Sequence, residues 1–269
     1  MRLDGRLALI TGGTQGVGAA IARALAKSGC DLVLHGLRDD ENSRETAEQC
    51  LSAGVQVAVV YEDFSRPIDE WLSGFAQAAT VAHDRVPDLL INNAGVFCDK
   101  PFLEMDLATY QRTFSINVES GYFLTQYFAK KWIEANIEGR VLFTGSINGQ
   151  LAEVDHTAYD TSKGAVHSMV RSLCVALAPH RIRVNAMAPG LVVTPLTQSV
   201  LEPGSDDLEW MKMHTPNGKV PGPEACGATA LFLLSDQAEH IHGQTIMVDG
   251  GMSVWQQPEL PDSIRGKIS

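Results

Sequence analysis

The sequence predicts a doubly wound α/β fold, one twisted parallel sheet of about seven strands with helices on both faces. Two observations carry this prediction. Short, continuously apolar runs alternate with longer helical patterns from end to end. A glycine-rich turn, Thr11-Gly12-Gly13-Thr14-Gln15-Gly16-Val17-Gly18, joins the first run to the first helical stretch. The bulk numbers agree: 269 residues with 45% hydrophobic and 20% charged side chains are an ordinary globular balance, ample for a large core.

The predicted strands are residues 7–10, 31–35, 55–60, 89–92, 141–144, 183–187 and 244–248. Strands of a parallel sheet are covered on both faces, so they read as unbroken apolar runs. The predicted helices between them are 16–28, 41–53, 68–82, 107–135, 158–178 and 223–235. Each strand–helix–strand step is a βαβ unit, and neither a linker nor a repeat interrupts the series. A single domain over 1–269 is therefore expected. The least regular segment, 191–220, carries Pro195, Pro203, Gly204, Pro216 and Gly218 with acidic Asp206, Asp207 and Glu209. A long irregular connection of this kind is expected to be a lid over the substrate. The tail after Gly251 is expected to be extended.

The chemistry is carried by Tyr159 and Lys163. Residues four apart on a helix share a face, so the ammonium can stand beside the phenol. An ordinary tyrosine titrates near pH ~10, and a neighbouring cation lowers that value. A phenol tuned this way exchanges a proton with a substrate oxygen. The glycine turn follows a strand and opens a helix, the context in which backbone N–H groups receive a pyrophosphate. Together these features predict hydride transfer between a nicotinamide and a carbonyl or alcohol.

Other classes are disfavoured. A net charge of -11 suits neither nucleic acid nor an anionic membrane surface. The five cysteines lack a C-x-x-C pair and suggest neither disulfides nor zinc, and no metal site is expected. No apolar run approaches the ~20 residues of a membrane span. Apolar residues begin close to Met1, which leaves no room for a signal peptide, so a cytoplasmic protein is expected.

The chain resembles the short-chain dehydrogenase/reductase family over nearly its whole length. The motifs stand in that family's order: the glycine turn, Asp63, Asn92-Asn93-Ala94-Gly95, Asn117, Ser146, Tyr159 with Lys163, Pro189-Gly190 with Thr194, and Asp249-Gly250-Gly251. The resemblance implies roles residue by residue. Tyr159 is the general acid/base and Ser146 the donor that holds the substrate oxygen. Lys163 binds the nicotinamide ribose and tunes Tyr159, and Asn117 anchors a water in a proton relay. The cofactor is implied to contact Gly12, Thr14, Gln15, Gly16, Val17 and Gly18, then Leu37, Arg38, Asp63, Phe64, Asn93, Ala94 and Gly95. Tyr159, Lys163, Pro189, Gly190, Val192 and Thr194 complete that set.

Cofactor choice turns on the end of the second strand, His35-Gly36-Leu37-Arg38. Gly36 stands where the family's NAD-specific acid falls, and Leu37 where its NADP-binding arginine often falls. Arg38 reads either as a late contact for a 2′-phosphate or as a solvated loop residue; the second reading is preferred, and with it NAD over NADP. Asp63 reads either as the contact for the adenine amino group or as a cap of the helix after it.

The implied pocket contains Ser146, Asn148, Glu153 and Tyr159, with Asp155 and His156 beside them. That polar, acidic set suits a sugar or polyol better than a fatty-acyl chain, unless Glu153, Asp155 and His156 simply face solvent. The runner-up is a 3-oxoacyl-carrier-protein reductase, for which Lys130, Lys131, His180 and Arg181 would have to receive the acidic carrier. A cofactor-binding regulator without turnover is the third reading; the complete set Asn117, Ser146, Tyr159 and Lys163 speaks against it. The resemblance also implies a homotetramer, packed through the long helices around Asn117 and Tyr159.

Overall fold

The computed structural model describes residues 1–195, 197 and 202–256. Its seven strands, β1 (Leu7–Ile10), β2 (Asp31–Gly36), β3 (Val57–Tyr61), β4 (Leu89–Asn92), β5 (Arg140–Thr144), β6 (Arg183–Pro189) and β7 (Thr245–Val248), form one sheet in the order β3-β2-β1-β4-β5-β6-β7. Every pair is parallel. The chain reverses direction across the sheet between β1 and β4, and a doubly wound sheet opens its binding crevice at the carboxyl ends of the strands there. The glycine turn and Asn92–Gly95 occupy those two ends.

Side chains alternate between two apolar layers. From β1, Leu7 and Leu9 enter the layer with Phe75, Leu124, Phe128 and Trp132. Ala8 and Ile10 enter the other, with Ile21, Leu25 and Leu233. The first layer is closed by α3 (Ile68–Val81), α5 (Ser120–Ala135) and α6 (Thr157–Leu177), the second by α1 (Gly16–Lys27), α2 (Glu41–Leu51) and α8 (Glu224–Leu234). β1 is thus apolar on both sides, as its sequence requires.

Three expectations need correction. The helix expected over 107–135 is α4 (Leu107–Phe114), a π-turn over Ser115–Glu119, and α5. The widened turn carries Asn117, whose side chain is bonded to neighbouring elements, and π-turns are frequent at functional sites. The expected irregular segment contains α7 (Asp206–Met213); Ser205 Oγ accepts from Leu208 N at its start. Asp206, Asp207 and Glu209 occupy its first turn, where the helix dipole favours negative charge. Residue 196 and residues 198–201 of the expected lid lie outside the described residues. After Gly251 the chain makes a 3-10 turn, Met252–Val254, and the rest of the expected extended tail, from 257 onward, lies outside them too.

Among the described residues no helix is long and apolar enough to cross a membrane, and no cluster of metal-ligating side chains is present. All five cysteines are free; burial pushes the thiols of Cys50 and Cys226 up to about 11, which keeps them protonated and inert.

Candidate active site

The glycine turn is held by β4. Thr11 Oγ1 accepts from the N–H groups of Asn93 and Ala94, at 2.9 and 3.0 Å. Asn93 Nδ2 donates to the carbonyls of Thr11 and Gly12. The amide of Asn93 is therefore committed to the turn. Gly12 and Gly16 adopt φ of +59° and +55°, conformations that side-chain-bearing residues avoid. A Cβ on Gly18 would sit 2.0 Å from the Gly12 carbonyl oxygen. Thr14 is buried, its carbonyl accepting from Thr46 Oγ1, and Val17 packs into the second apolar layer. Gln15 precedes α1 without capping it by its side chain. The first N–H groups of α1 thus face the crevice without a side-chain partner, which fits a pyrophosphate.

The end of β2 is organised by His35, to which the sequence assigns no role of its own. Nδ1 of His35 accepts from Gly12 N at 3.1 Å, so the ring proton is on Nε2, which donates to the Glu62 carbonyl at 3.0 Å. Burial drives this imidazole down to about 4, which keeps it neutral and able to accept. One ring therefore ties the glycine turn to the ends of β2 and β3. Phe64 stacks between His35 and Trp71 and is buried, which leaves only its backbone to a cofactor. A Cβ on Gly36 would meet Thr14 Cγ2 at 2.9 Å, so an acid there would displace the turn. Leu37 is 62% exposed, and Arg38 lies 3.6 Å from Asp40 at the surface. Asp63 Oδ1 accepts from Ser65 N, and hydrogen bonds from Ser65 hold its carboxyl below its ordinary value. The carboxylate thus braces the turn that leads into α3, while the cap position of α3 itself is Pro67.

Ser146, Tyr159, Lys163 and Asn117 meet at the carboxyl ends of β4 and β5. Ser146 starts the 3-10 turn Ile147–Gly149, its Oγ accepting from Asn148 N at 3.1 Å. Lys163 is buried; Nζ donates to the Thr144 carbonyl at 2.9 Å and lies 5.6 Å from the centre of the Tyr159 ring. Burial pulls its ammonium down to about 8. Asn117 Nδ2 donates to the Val96 carbonyl and to Ser162 Oγ, and Oδ1 accepts from Val96 N. Ser162 Oγ in turn donates to the Tyr159 carbonyl. A Cβ on Gly95 would stand 3.4 Å from Asn117 Oδ1 and 3.7 Å from Lys163 Nζ, so both atoms border one narrow space.

The phenol differs from expectation. Burial raises Tyr159 above its ordinary value, Ser146 opposes the rise, and the charges of Asp160 and Glu153 add to it. In the protein alone the hydroxyl is therefore held protonated, not poised towards neutrality.

The segment after Ser146 forms one wall beside Tyr159. Asn148 is buried, and its Nδ2 donates to Glu153 Oε1 at 2.9 Å and to Asp160 Oδ1 at 2.8 Å. Both amide hydrogens are committed, so Asn148 supports the wall more than it contacts a ligand. The rings of Phe97, His156 and Tyr159 pack edge to face, centroids 5.7–6.1 Å apart. Beyond β6, Gly190 N donates to the Val248 carbonyl, and Pro189 pairs with Val248 in the sheet. A Cβ on Gly190 would meet Asp249 Cβ at 2.8 Å. Val192 is buried, and Thr194 lies 3.5 Å from a Cβ placed on Gly16. The start of the 191–220 segment thus borders the glycine turn. Besides His35, the site depends on Thr11, Thr144 and Ser162, to which sequence reasoning assigns no role. Thr11, adjacent to Gly12, is within its reach; the others are ordinary residues made important by what folds against them.

The parallel sheet with its glycine turn at the β1/β4 switch point defines a Rossmann-type fold. Residues 12–253 match a family model described as enoyl-(acyl carrier protein) reductase. An L-rhamnose 1-dehydrogenase (NADP(+)) from Thermoplasma acidophilum is 33% identical over 93% of this chain and 97% of its own. A galactitol 2-dehydrogenase (L-tagatose-forming) from Cereibacter sphaeroides is 34% identical, covering 94% and 97%. A solved structure described as a candidate NAD(P)-dependent gluconate 5-dehydrogenase from Beutenbergia cavernae, with NADP bound, superposes with a TM-score of 0.86 at 30% identity, covering 94% and 99%. The chain belongs to the short-chain dehydrogenase/reductase family.

Proposed function

We propose that this protein is an NAD(P)-dependent dehydrogenase that interconverts a secondary alcohol and its ketone on a sugar or polyol, with Tyr159, Ser146, Lys163 and Asn117 as its catalytic residues. The observation that carries the reading is the junction of the buried Lys163 ammonium, Tyr159 and Ser146 beside the glycine turn. A bound nicotinamide would exchange the hydride. Ser146 donates to the substrate oxygen, on which charge develops. Tyr159 takes the hydroxyl proton in oxidation and returns it in reduction. Lys163 gives one N–H to Thr144, leaving donors for the ribose hydroxyls. The gap that it shares with Asn117 beside Gly95 fits a water that carries the proton outward.

The cofactor would be held by the glycine turn, by the backbone at Leu37, Asp63, Phe64 and Asn93 to Gly95, and by Pro189 to Thr194. NAD is the favoured form. The guanidinium of Arg38 stands near Asp40, that of Arg44 is bonded to Asp39, and among the described residues no cation is fixed at Leu37. In fluorescence titrations NADH is expected to bind more tightly than NADPH, and Leu37→Arg is expected to shift affinity towards NADPH. Tighter NADPH binding by the wild type would overturn this choice and make Arg38 the phosphate contact.

The sugar or polyol substrate is supported by the names of the relatives and by the polar wall of Glu153, Asp160 and His156. A carrier-protein substrate is less well supported: Lys131 and Arg181 are paired with Glu134 and Glu138, which leaves Lys130 and His180 of the four candidate contacts. The protein is further read as a single-domain cytoplasmic homotetramer. Tyr122, Ile133 and Val175, exposed apolar residues of α5 and α6, support packing between subunits there. The decisive experiment is a panel of L-rhamnose, galactitol and gluconate with NAD and NADP, set against reduction of acetoacetyl-CoA. Oxidation of a sugar or polyol is expected; reduction of the thioester alone would replace this reading by the carrier-protein one.

A further inference from the structure

We infer that this active site selects uncharged polyhydroxy substrates and rejects their carboxylate analogues, because Glu153, Asp160 and Asp99 set a fixed negative field beside Tyr159. The inference rests on the proposed sugar or polyol dehydrogenase activity.

Each of the three carboxylates is held by a hydrogen bond or an ion pair, although the side chains of Glu153 and Asp99 are exposed. Asp160 follows Tyr159 in α6, and its oxygens accept from Asn148 Nδ2 at 2.8 Å and from Glu153 N at 3.0 Å. Glu153 Oε1 accepts from the other Asn148 hydrogen at 2.9 Å. Asn148 is itself buried and hydrogen-bonded to Ser146 through its backbone, so the acids are built onto the same turn as the substrate-oxygen donor. Asp99 reaches the wall from the loop after β4, its Oδ1 2.5 Å from His156 Nε2. The charges of Asp160 and Glu153 act on the Tyr159 phenol itself and oppose its ionisation, so their field extends to the reacting hydroxyl.

Among the described residues, the cations nearest this wall are committed to other partners, while Arg112 and Lys219 carry no ion pair. His156 is flanked by Asp99 and, at 3.3 Å, by Glu153. Lys100 is paired with Asp106. Lys163 lies buried behind Tyr159 on Thr144. Arg112 contacts Cys98 Sγ at 3.9 Å and acts on Asp63, on the dinucleotide side. The described part of the 191–220 segment carries Glu202, Asp206, Asp207 and Glu209 against Lys212, which is bonded to Glu209, and Lys219. A polyol brings hydroxyl donors, which carboxylate oxygens accept. An aldonate brings a negative charge beside Glu153, Asp160 and Asp99, and like-charge juxtaposition discriminates against it. Glu153 and Asp99 are open to water, so the expected discrimination is on the order of tenfold to a hundredfold in kcat/KM.

The test compares matched pairs that differ only in the terminal carbon, galactitol with galactonate and L-rhamnitol with L-rhamnonate. It uses the wild type, Glu153→Gln and Asp99→Asn at low and high salt. The wild type is expected to favour the neutral member at least about tenfold, and both variants and added salt are expected to narrow the ratio. An aldonate used as well as its neutral partner, or a ratio unmoved by both variants, overturns the inference and leaves the dehydrogenase reading standing. If no sugar, polyol or aldonate is oxidised, the proposed function falls and the inference with it.

Discussion

Tyr159→Phe is expected to lower kcat by about 10²–10⁴-fold while NADH binding stays within a few-fold of wild type, because the change removes one proton-transferring oxygen and no backbone contact. Steady-state kinetics with a fluorescence titration of the dinucleotide checks both halves. The pH profile is set by the direction of the phenol's shift. Burial holds Tyr159 above its ordinary value, so the hydroxyl is protonated at neutral pH. Oxidation needs the phenolate, and its rate is expected to climb with pH through the alkaline range. Reduction uses the protonated form and is expected to fall as that form is lost. Lys163, pulled down to about 8, loses its charge within the same range, so it cannot be the group whose deprotonation speeds oxidation through a stronger field on Tyr159. An oxidation rate flat from neutral pH upward, or a Tyr159→Phe enzyme with near wild-type turnover, would remove Tyr159 from its role.

Gly18→Ala is expected to weaken dinucleotide binding by about 10–100-fold or more, the equivalent of the ~1–3 kcal/mol that a forced methyl group costs in a packed site. The new Cβ would stand 2.0 Å from the Gly12 carbonyl oxygen and 2.6 Å from Asn93 Nδ2, so the glycine turn has to move away from β4. The two atoms it would push on belong to the contacts that aim the turn at the crevice. Gly74→Ala is the control: it lies in α3 with nothing within 4 Å of its Cβ, and its binding is expected to match wild type. Far-ultraviolet circular dichroism of both variants separates a local change in the turn from loss of fold. Equal affinity of Gly18→Ala and wild type would show that the dinucleotide does not use this turn.

Much of this is legible in the chain. Every strand is marked by its apolar run, since a strand covered on both faces has no polar alternation to confuse the reading. The stretch 107–135 reads as one helix because its apolar pattern continues across the junction; one extra residue in a π-turn hardly disturbs the period. α7 is invisible for the opposite reason: it buries only Leu208 and so presents no stripe. In the site, Tyr159 and Lys163 stand out through residue type and spacing, and Ser146 only through its place in the family's motif order. His35 does not, since a lone histidine in an apolar strand carries no local signal. Its role comes from Gly12 and Glu62, residues distant in sequence that the sheet brings to its two nitrogens.

By itself the sequence determined the βαβ order, the place of the glycine turn, and the pairing of Tyr159 with Lys163, because these depend on periodicity and spacing along one chain. Only the tertiary structure decided which way the phenol titrates, that Asn148 holds Glu153 and Asp160 in place, and that His35 locks the turn as a neutral ring. Those outcomes depend on burial and on contacts between distant segments, and neither quantity exists until the chain has folded.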